Sequence, residues 1–192
     1  MKKGKNTKGR IVSAAWDLFY EQGYDNTTVD EIVEKSGTSK GSFYHYFESK
    51  DALLSSLSYL FDEKYEELQP DLNEEDNAFD TLIFLNQELF DMVDNKVDHE
   101  LVSRLYSTQM VTKGERSLMD NSRLYYKLIR QIVVRGREKG EITQDMTVND
   151  TVRYYAMCER ALIIEWCLAG WSFSLKNYAA TMLPRMLETI KG

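Results

Sequence analysis

Proline, cysteine and histidine are scarce in this chain, which has two of each among 192 residues. So few prolines, together with the absence of any sustained alternation of apolar and polar residues, predict helices nearly throughout. No stretch approaches the roughly 20 apolar residues of a membrane-spanning helix. The basic start, MKKGKNTKGR, is not followed by the apolar run of a secretion signal. We therefore expect a soluble helical protein with no membrane partner.

The two cysteines, Cys158 and Cys167, lie nine residues apart. On one helix this spacing separates them by roughly 13 Å along the axis and turns them to opposite sides. They cannot form an unstrained disulfide, which fits a reducing cytoplasm. Because the two histidines, His45 and His99, are also far apart, the sequence predicts no metal site. We expect no cofactor of any kind.

The net charge of −7 argues against a protein that coats nucleic acid over its whole surface. The charges are unevenly distributed. Residues 1–50 carry 8 Lys or Arg against 7 Asp or Glu, whereas residues 51–192 carry 16 against 24. This asymmetry indicates a small end that can meet an anion and a larger acidic body, although a solvated basic tail would give the same pattern.

The N-terminal end shows the apolar periodicity of short helices. Gly23 is expected to end the first helix, and Gly37 the second. Thr28 and Glu31 can form a capping box at the start of the second helix. The predicted buried positions of the two helices are Ile11, Ala14, Ala15, Leu18, Phe19, Val29, Ile32 and Val33.

A third short helix is predicted within GTSKGSFYHYFESK, residues 37–50. Phe43 and Phe47 are four positions apart and can pack on the first two helices. The lysine, serine, tyrosine and histidine between and before them fall on the other faces. Three helices with a glycine turn between the second and third form a helix-turn-helix unit, whose third helix enters the DNA major groove.

The polar groups of this stretch then have predicted contacts with DNA. Gly41 lets the helix lie close to the base edges, and Lys40 can donate to guanine. Tyr44 can touch a thymine methyl. Thr28 places a hydroxyl and a helix N-terminus where a phosphate would sit. The side chains expected at phosphate oxygens are Ser42, Tyr44, His45, Tyr46 and Lys50.

The run from Thr7 through TTVDEIVEKSGTSKGSFYHYFESKDALL resembles the N-terminal domain of the TetR (tetracycline repressor) family of bacterial transcription regulators. The resemblance covers about residues 7–55 and adds Ser39 to the DNA-contact residues. It implies an all-α dimer. It further implies that a helix-turn-helix DNA-binding domain, residues 1–50, is joined by a long helix to a helical effector-binding and dimerisation domain, residues 51–192.

The rest of the chain shows the pattern of further helices. After the long helix that Ser49 opens, the predicted helices cover 76–95, 98–111, 116–139, 148–171 and 175–191. The segment 62–80 holds nine acids and Pro70, so we expect the connection between the two parts there.

Aromatic residues and methionines on the middle helices are the candidates for an effector pocket, although such residues at helical spacing are more often core. The candidates are Phe84, Phe90, Tyr106, Met110, Tyr125, Tyr126, Met157 and Trp166, together with Glu159. Three charges interrupt an apolar helix: Glu159, Arg160 and Glu165. Because buried charge is costly unless it is paired, they pair with one another, reach the dimer rim or face a polar ligand.

An apolar stripe on the last helix is the candidate for a dimer interface. Its members are Leu175, Tyr178, Met182, Met186 and Leu187. A stripe alone is more often core, but a dimer is expected because helix-turn-helix proteins commonly read paired half-sites.

These observations predict a ligand-responsive dimeric regulator, a repressor that a small molecule releases from a palindromic operator. Activation is not excluded. The alternative is a DNA-bound adaptor whose C-terminal domain binds a protein. An enzyme is not predicted, because His99 has no partner motif for catalysis in its sequence DNKVDHELV.

Overall fold

The computed structural model describes residues 7–111 and 116–192, and these residues form ten α-helices. The helices are α1 (Thr7–Gln22), α2 (Val29–Ser36), α3 (Lys40–Tyr46), α4 (Lys50–Leu54), α5 (Leu57–Leu68), α6 (Ala78–Lys96), α7 (His99–Val111), α8 (Leu124–Glu138), α9 (Val148–Leu168) and α10 (Leu175–Leu187). Within the described ranges the extended residues form only one isolated bridge, between Ile142 and Lys191. The all-α expectation is confirmed. No helix in those ranges has the length and apolarity to cross a membrane.

The first three helices match their predicted limits. The Thr28 hydroxyl accepts from the Glu31 amide, and the Glu31 carboxylate accepts from the Thr28 amide at 2.7 Å, which completes the capping box. Gly37 ends α2 in the left-handed conformation, with φ of 60°. The predicted apolar face of α1 is buried throughout, and Ile32 is buried beneath it.

The long helix expected from Ser49 is divided in the structure between α4 and α5. The hydroxyls of Ser55, Ser56 and Ser58 each donate to the backbone carbonyl three residues earlier. Such bonds compete with the backbone ladder of an α-helix, so the serines account for the break. The indole of Trp16 donates to the Ser56 hydroxyl at 2.9 Å and fixes α1 against this joint.

The helix predicted at 116–139 begins later than expected. A short 3-10 turn, Ser117–Met119, comes first, and α8 starts only at Leu124. Between them the Asp120 carboxylate accepts from the Ser122 amide at 2.8 Å. An aspartate that binds the backbone two residues ahead favours a turn, which delays the helix.

Two apolar cores lie on either side of the joint between α4 and α5. The N-terminal core combines α1 to α4 with one residue of α7, Leu101. The C-terminal core begins at Leu57. The acid-rich segment 62–80 is therefore not the connection that the sequence predicted, because α5 runs through it to Leu68 and packs on α6 and α8. The assignment of residues 1–50 to a separate domain stays a prediction.

Candidate nucleic-acid interface and internal cavity

α3 is fixed by its first residues and by two buried rings. The Ser39 hydroxyl caps the helix by accepting from the Ser42 amide at 3.0 Å. Phe43 is completely buried, and Phe47 is nearly so. Because both rings face the N-terminal core, the residues around them form the outer surface of α3.

That outer surface carries the polar residues that the sequence assigns to DNA. Lys40, Gly41, Tyr44, His45 and Tyr46 are all exposed. Tyr44 and Tyr46 are 56% and 42% exposed, so two large phenol rings project into solvent without burial of their hydroxyls. The structure thus brings these five residues together on one capped helix.

Lys40 forms an exposed ion pair that a hydrogen bond to DNA could replace. Its ammonium lies 2.7 Å from the carboxylate of Asp30 on α2, and both side chains are more than 60% exposed. The hydrogen bond and charge of Asp30 raise the pKa of Lys40. Exposed ion pairs of this kind are weak in water. Lys40 can therefore exchange Asp30 for a base edge at little cost.

Gly41 is not required by the packing of α3. A Cβ placed on Gly41 would meet only the Ser39 hydroxyl, at an ordinary contact distance of 3.7 Å. An alanine would fit and would favour the helix, since glycine costs a helix up to about 1 kcal/mol relative to alanine. Since the fold does not require a glycine here, Gly41 points to a close approach of the α3 backbone to a ligand.

Lys50 points toward the backbone of the protein, unlike the five exposed residues of α3. Its ammonium donates to the backbone carbonyls of Tyr24 and Thr27 at 2.6 and 2.8 Å, and lies 4.1 Å from the centre of the Tyr24 ring. Burial lowers the pKa of Lys50. The side chain therefore holds the turn between α1 and α2, where exposed Thr28 begins the second helix. A phosphate contact by Lys50 stays a prediction.

A small cavity of about 40 Å³ lies inside the C-terminal core. This volume accommodates a few water molecules, far less than the several hundred Å³ of a typical ligand site. Helices α5 to α9 and the 3-10 turn at Ser117–Met119 contribute its walls. The lining residues are Phe61, Tyr65, Leu89, Phe90, Tyr106, Leu118, Arg123, Tyr125, Ala156, Glu159, Arg160 and Ile163.

Glu159 is the buried acid of this cavity. Its carboxyl group lies within hydrogen-bond distance of the Asn86 amide and of the hydroxyls of Tyr125 and Tyr155. Burial raises the pKa of Glu159, although those three hydrogen bonds oppose the shift. Among the described residues, the fully buried hydroxyl of Tyr65 has no hydrogen-bond partner. The cavity therefore has an apolar wall with a few polar groups.

The structure brings only some of the predicted pocket residues to the cavity, and their role in effector binding stays a prediction. Phe90, Tyr106, Tyr125 and Glu159 line the cavity. The prediction was wrong for Phe84, Met110 and Met157, which are 42%, 60% and 51% exposed because they lie on the outer faces of their helices. Tyr126 and Trp166 are buried but do not line the cavity. Their polar atoms donate to the backbone carbonyls of Leu118 and Phe173.

The prediction missed Arg123, which lines the cavity from the start of α8. Its guanidinium forms two hydrogen bonds with the Asp62 carboxylate and one with the backbone carbonyl of Ser58, both on α5. In the sequence, Asp62 and Arg123 are each a charged residue among apolar neighbours. They lie 61 residues apart, and this spacing does not indicate that they form a pair. Of the three charges noted on α9, Glu159 is buried, Arg160 half-buried and Glu165 exposed.

The residues predicted for the dimer interface lie on two different faces of α10. Leu175 and Leu187 are fully buried in the protomer's own core, so they were wrong as interface residues. Their spacing follows the inner face of the helix, where Ala179 and Leu183 are also buried. Tyr178 is exposed, and Met182 and Met186 are half-buried, so these three remain candidates for the interface.

Comparisons with known proteins add to this geometry. A family model described as bacterial regulatory proteins of the tetR family matches residues 11–57. The chain is 26% identical over 153 residues to YvdT, an uncharacterised HTH-type transcriptional regulator of Bacillus subtilis, with 78% of each chain covered. It is 25% identical over 152 residues to the fatty acid metabolism regulator protein of the same organism, with 77% of each chain covered.

Among solved structures, the fold is similar to that of FadR from Thermus thermophilus, a TetR-family transcriptional repressor in complex with lauroyl-CoA. The TM-score is 0.76, with 23% sequence identity, and the match covers 96% of this chain and 94% of that one. At this sequence identity, the structural similarity is evidence for the fold alone.

Proposed function

Since this chain belongs to the TetR family of bacterial transcriptional regulators, we propose that it is a repressor of which two protomers bind a palindromic operator and which a small molecule releases. The protein is a DNA-binding regulator of transcription. Its partners are operator DNA, a second copy of itself and a small-molecule effector.

The outer surface of α3 is the observation that carries this proposal. The Ser39 cap and two buried phenylalanines fix the helix, and its exposed side chains can all donate hydrogen bonds. Gly41 has no side chain, so the backbone at the start of α3 can approach the base edges closely. In this arrangement Lys40 reads bases, while Tyr44, His45 and Tyr46 bind phosphates and set the orientation.

The neighbouring outer faces of α9 and α10 supply a surface for a second protomer. Leu168 at the end of α9 is 79% exposed, and Tyr178 on α10 is 36% exposed. Large apolar side chains exposed together indicate an interaction surface. A two-fold dimer formed there would present two copies of α3 to successive half-sites of one DNA face.

The cavity is connected to the DNA-binding helices by α5 and α7. Tyr106 of α7 lines the cavity, whereas Arg104 of the same helix pairs with Asp25 and lies 4.7 Å from the centre of the Tyr24 ring, at the turn before α2. A ligand that widens the cavity must move its walls. We infer that this movement shifts α5 and α7 and thereby changes the spacing of the two α3 helices.

The cavity in the C-terminal core supports a small molecule as the effector over the protein-binding adaptor. A ligand of usual size needs several hundred Å³, so the walls must separate when it enters. Linkage makes the effect reciprocal: operator DNA must weaken effector binding by the factor by which the effector weakens operator binding.

We also infer that the chain is not an enzyme and that it works in the cytoplasm, where the chromosome is accessible. The similar proteins named above are transcriptional regulators. His99 has structural partners instead of catalytic ones, since its ring packs 4.7 Å from that of Trp166 and its Nε2 lies 3.1 Å from the carbonyl of Asp94.

The test is a gel shift of the purified protein with the DNA upstream of its own gene, at two salt concentrations and with unrelated DNA as competitor. The proposal predicts a complex of two protomers per duplex that resists the competitor and weakens with salt. A Met182→Glu variant should lose both the dimer and the shift. Absence of a shift for the wild type at low salt would contradict the proposal.

A further inference from the structure

A second concave surface lies on the outside of the C-terminal body, between α8 and α9. This cleft of about 450 Å³ is lined by Met119, Asn121, Tyr126, Arg130, Asn149, Asp150, Val152, Arg153 and Arg160. We name it the arginine cleft, after Arg130, Arg153 and Arg160. Asp150 is the one acid among the described residues that line it, and these residues therefore carry a local excess of positive charge.

The arginines come from both sides of the cleft. Arg153 and Arg160 are seven residues apart on α9, which places them on one side of the helix about 10 Å apart along its axis. Arg130 faces them from α8 and is bonded to Asn149. Within the described residues, no carboxylate forms an ion pair with any of these three arginines. Guanidinium groups presented in this way favour carboxylate and phosphate ligands.

Arg160 also joins the arginine cleft to the internal cavity, because its side chain lines both. The cavity's other guanidinium, Arg123, is already neutralised by Asp62. Arg160 instead donates to the Tyr126 hydroxyl at a long 3.3 Å. It is therefore the cavity's one guanidinium, among those described, that remains available to an added anion.

The short turn Ser117–Met119 borders both spaces. Leu118 lines the cavity, and its neighbour Met119 lines the arginine cleft. The Tyr126 hydroxyl donates to the Leu118 carbonyl at 2.9 Å while accepting from Arg160. An anion that draws Arg160 away from Tyr126 would weaken this connection and let the turn move outward, which opens the cavity toward the cleft.

Resting on the proposed effector response, we propose that the effector is an amphipathic anion whose acidic head binds in the arginine cleft and whose apolar tail enters the cavity past Leu118. The carboxyl group of Glu159 sets this orientation. An anionic head placed deep in the cavity would lie against that acid, whereas an apolar tail meets mainly the rings and aliphatic side chains of Phe61, Phe90 and Ile163.

The head group is tested with four ligands that share a chain of ten carbons, counting the carboxyl carbon of the acid: decyl phosphate, decanoate, decan-1-ol and decyltrimethylammonium. Isothermal titration of the full chain, below the micelle concentration of each ligand, should detect binding of one or both anions at least about tenfold tighter than binding of the alcohol or the cation. Preference for decyl phosphate would indicate a phosphate ester, and preference for decanoate a fatty acid.

The arginines are tested by single substitutions. Arg153→Ala and Arg160→Ala should each weaken binding of the preferred anion about tenfold, as expected for a lost charge-assisted hydrogen bond. Lys127→Ala, which removes an exposed cation of α8 outside the cleft, is the matched control and should leave binding unchanged. Because Arg153 is exposed, its substitution should not prevent folding even if that of Arg160 does.

Equal binding of decan-1-ol and the anions, no binding of any of the four, or wild-type affinity of Arg153→Ala would overturn the proposal. Release of operator DNA is a separate readout. The preferred anion should dissociate the wild-type complex at about tenfold lower concentration than the Arg153→Ala complex. A protein that never binds DNA would refute the proposed function, and the titrations would still decide the class of ligand.

Discussion

Arg123 and Asp62 form a two-point ion pair inside the C-terminal core, with N–O distances of 2.9 and 3.0 Å. The pair joins the start of α8 to α5, and a further bond of 2.7 Å connects Arg123 to the backbone carbonyl of Ser58. Arg123 also lines the cavity, so a ligand bound there would contact a residue that holds α5.

Substitution of one partner of this ion pair should strongly destabilise the protein. Arg123→Met leaves the Asp62 carboxylate buried without its counter-ion, and we expect a loss of about 3–5 kcal/mol in the free energy of unfolding. The double variant Asp62→Leu/Arg123→Met should recover most of that loss, since it removes both charges. Urea denaturation at neutral pH measures both. Equal losses in the single and double variants would show that the pair is not the cause.

Gly41 should separate DNA binding from stability. We expect Gly41→Ala to raise the free energy of unfolding by up to about 1 kcal/mol, because alanine favours a helix and its Cβ has space. The same methyl should hold α3 away from base edges and reduce operator affinity by about tenfold, since base contacts are worth about 1–3 kcal/mol each. Urea denaturation and fluorescence anisotropy measure the two effects. Unchanged affinity would exclude close approach at this residue.

Substitutions of Lys50 and Tyr44 should have different effects on stability, measured by urea denaturation, while both weaken DNA binding, measured by fluorescence anisotropy. Lys50→Met leaves the carbonyls of Tyr24 and Thr27 without their donor, so we expect a loss of about 1–3 kcal/mol in stability together with weaker DNA binding. Tyr44→Ala removes an exposed ring and should weaken binding with a stability change within about 0.5 kcal/mol. If Lys50→Met were as stable as the wild type, the carbonyl contacts would not support the fold.

Glu159 should give the protein a characteristic dependence of stability on pH. Burial raises its pKa in the folded state above the usual 4.5. The folded chain then keeps a proton that the unfolded chain loses, so the free energy of unfolding falls as pH rises from about 4.5 through the raised pKa. In Glu159→Gln this decrease should be absent. Parallel curves of stability against pH for the two proteins would contradict the assignment.

The N-terminal helices were predictable because their signals are local. The capping box of Thr28 and Glu31, the left-handed Gly37 and the inward spacing of Phe43 and Phe47 each depend on residues within a few positions of one another. The orientation of Lys50 was not predictable, since its carbonyl partners lie 23 and 26 residues earlier in the chain.

The cavity was harder to predict because its walls come from five helices and a turn. Helical spacing identifies an apolar face but does not say whether that face meets another helix, a cavity or a second protomer. Phe90 and Phe84 illustrate this: both are phenylalanines of α6, yet one is fully buried beside the cavity and the other is 42% exposed. Arg123 was missed for the same reason, since only the fold brings it to Asp62.

The most direct test of DNA reading by α3 is the affinity of the wild type, Lys40→Ala and Tyr44→Ala for the operator and for a scrambled duplex of the same length. Tyr44→Ala should bind both duplexes more weakly, because it loses a phosphate contact. Lys40→Ala should lose affinity mainly for the operator, by about 1–3 kcal/mol, and so discriminate less between the two. Wild-type affinities of both variants for the operator would contradict the assignment of α3 as the DNA-reading helix.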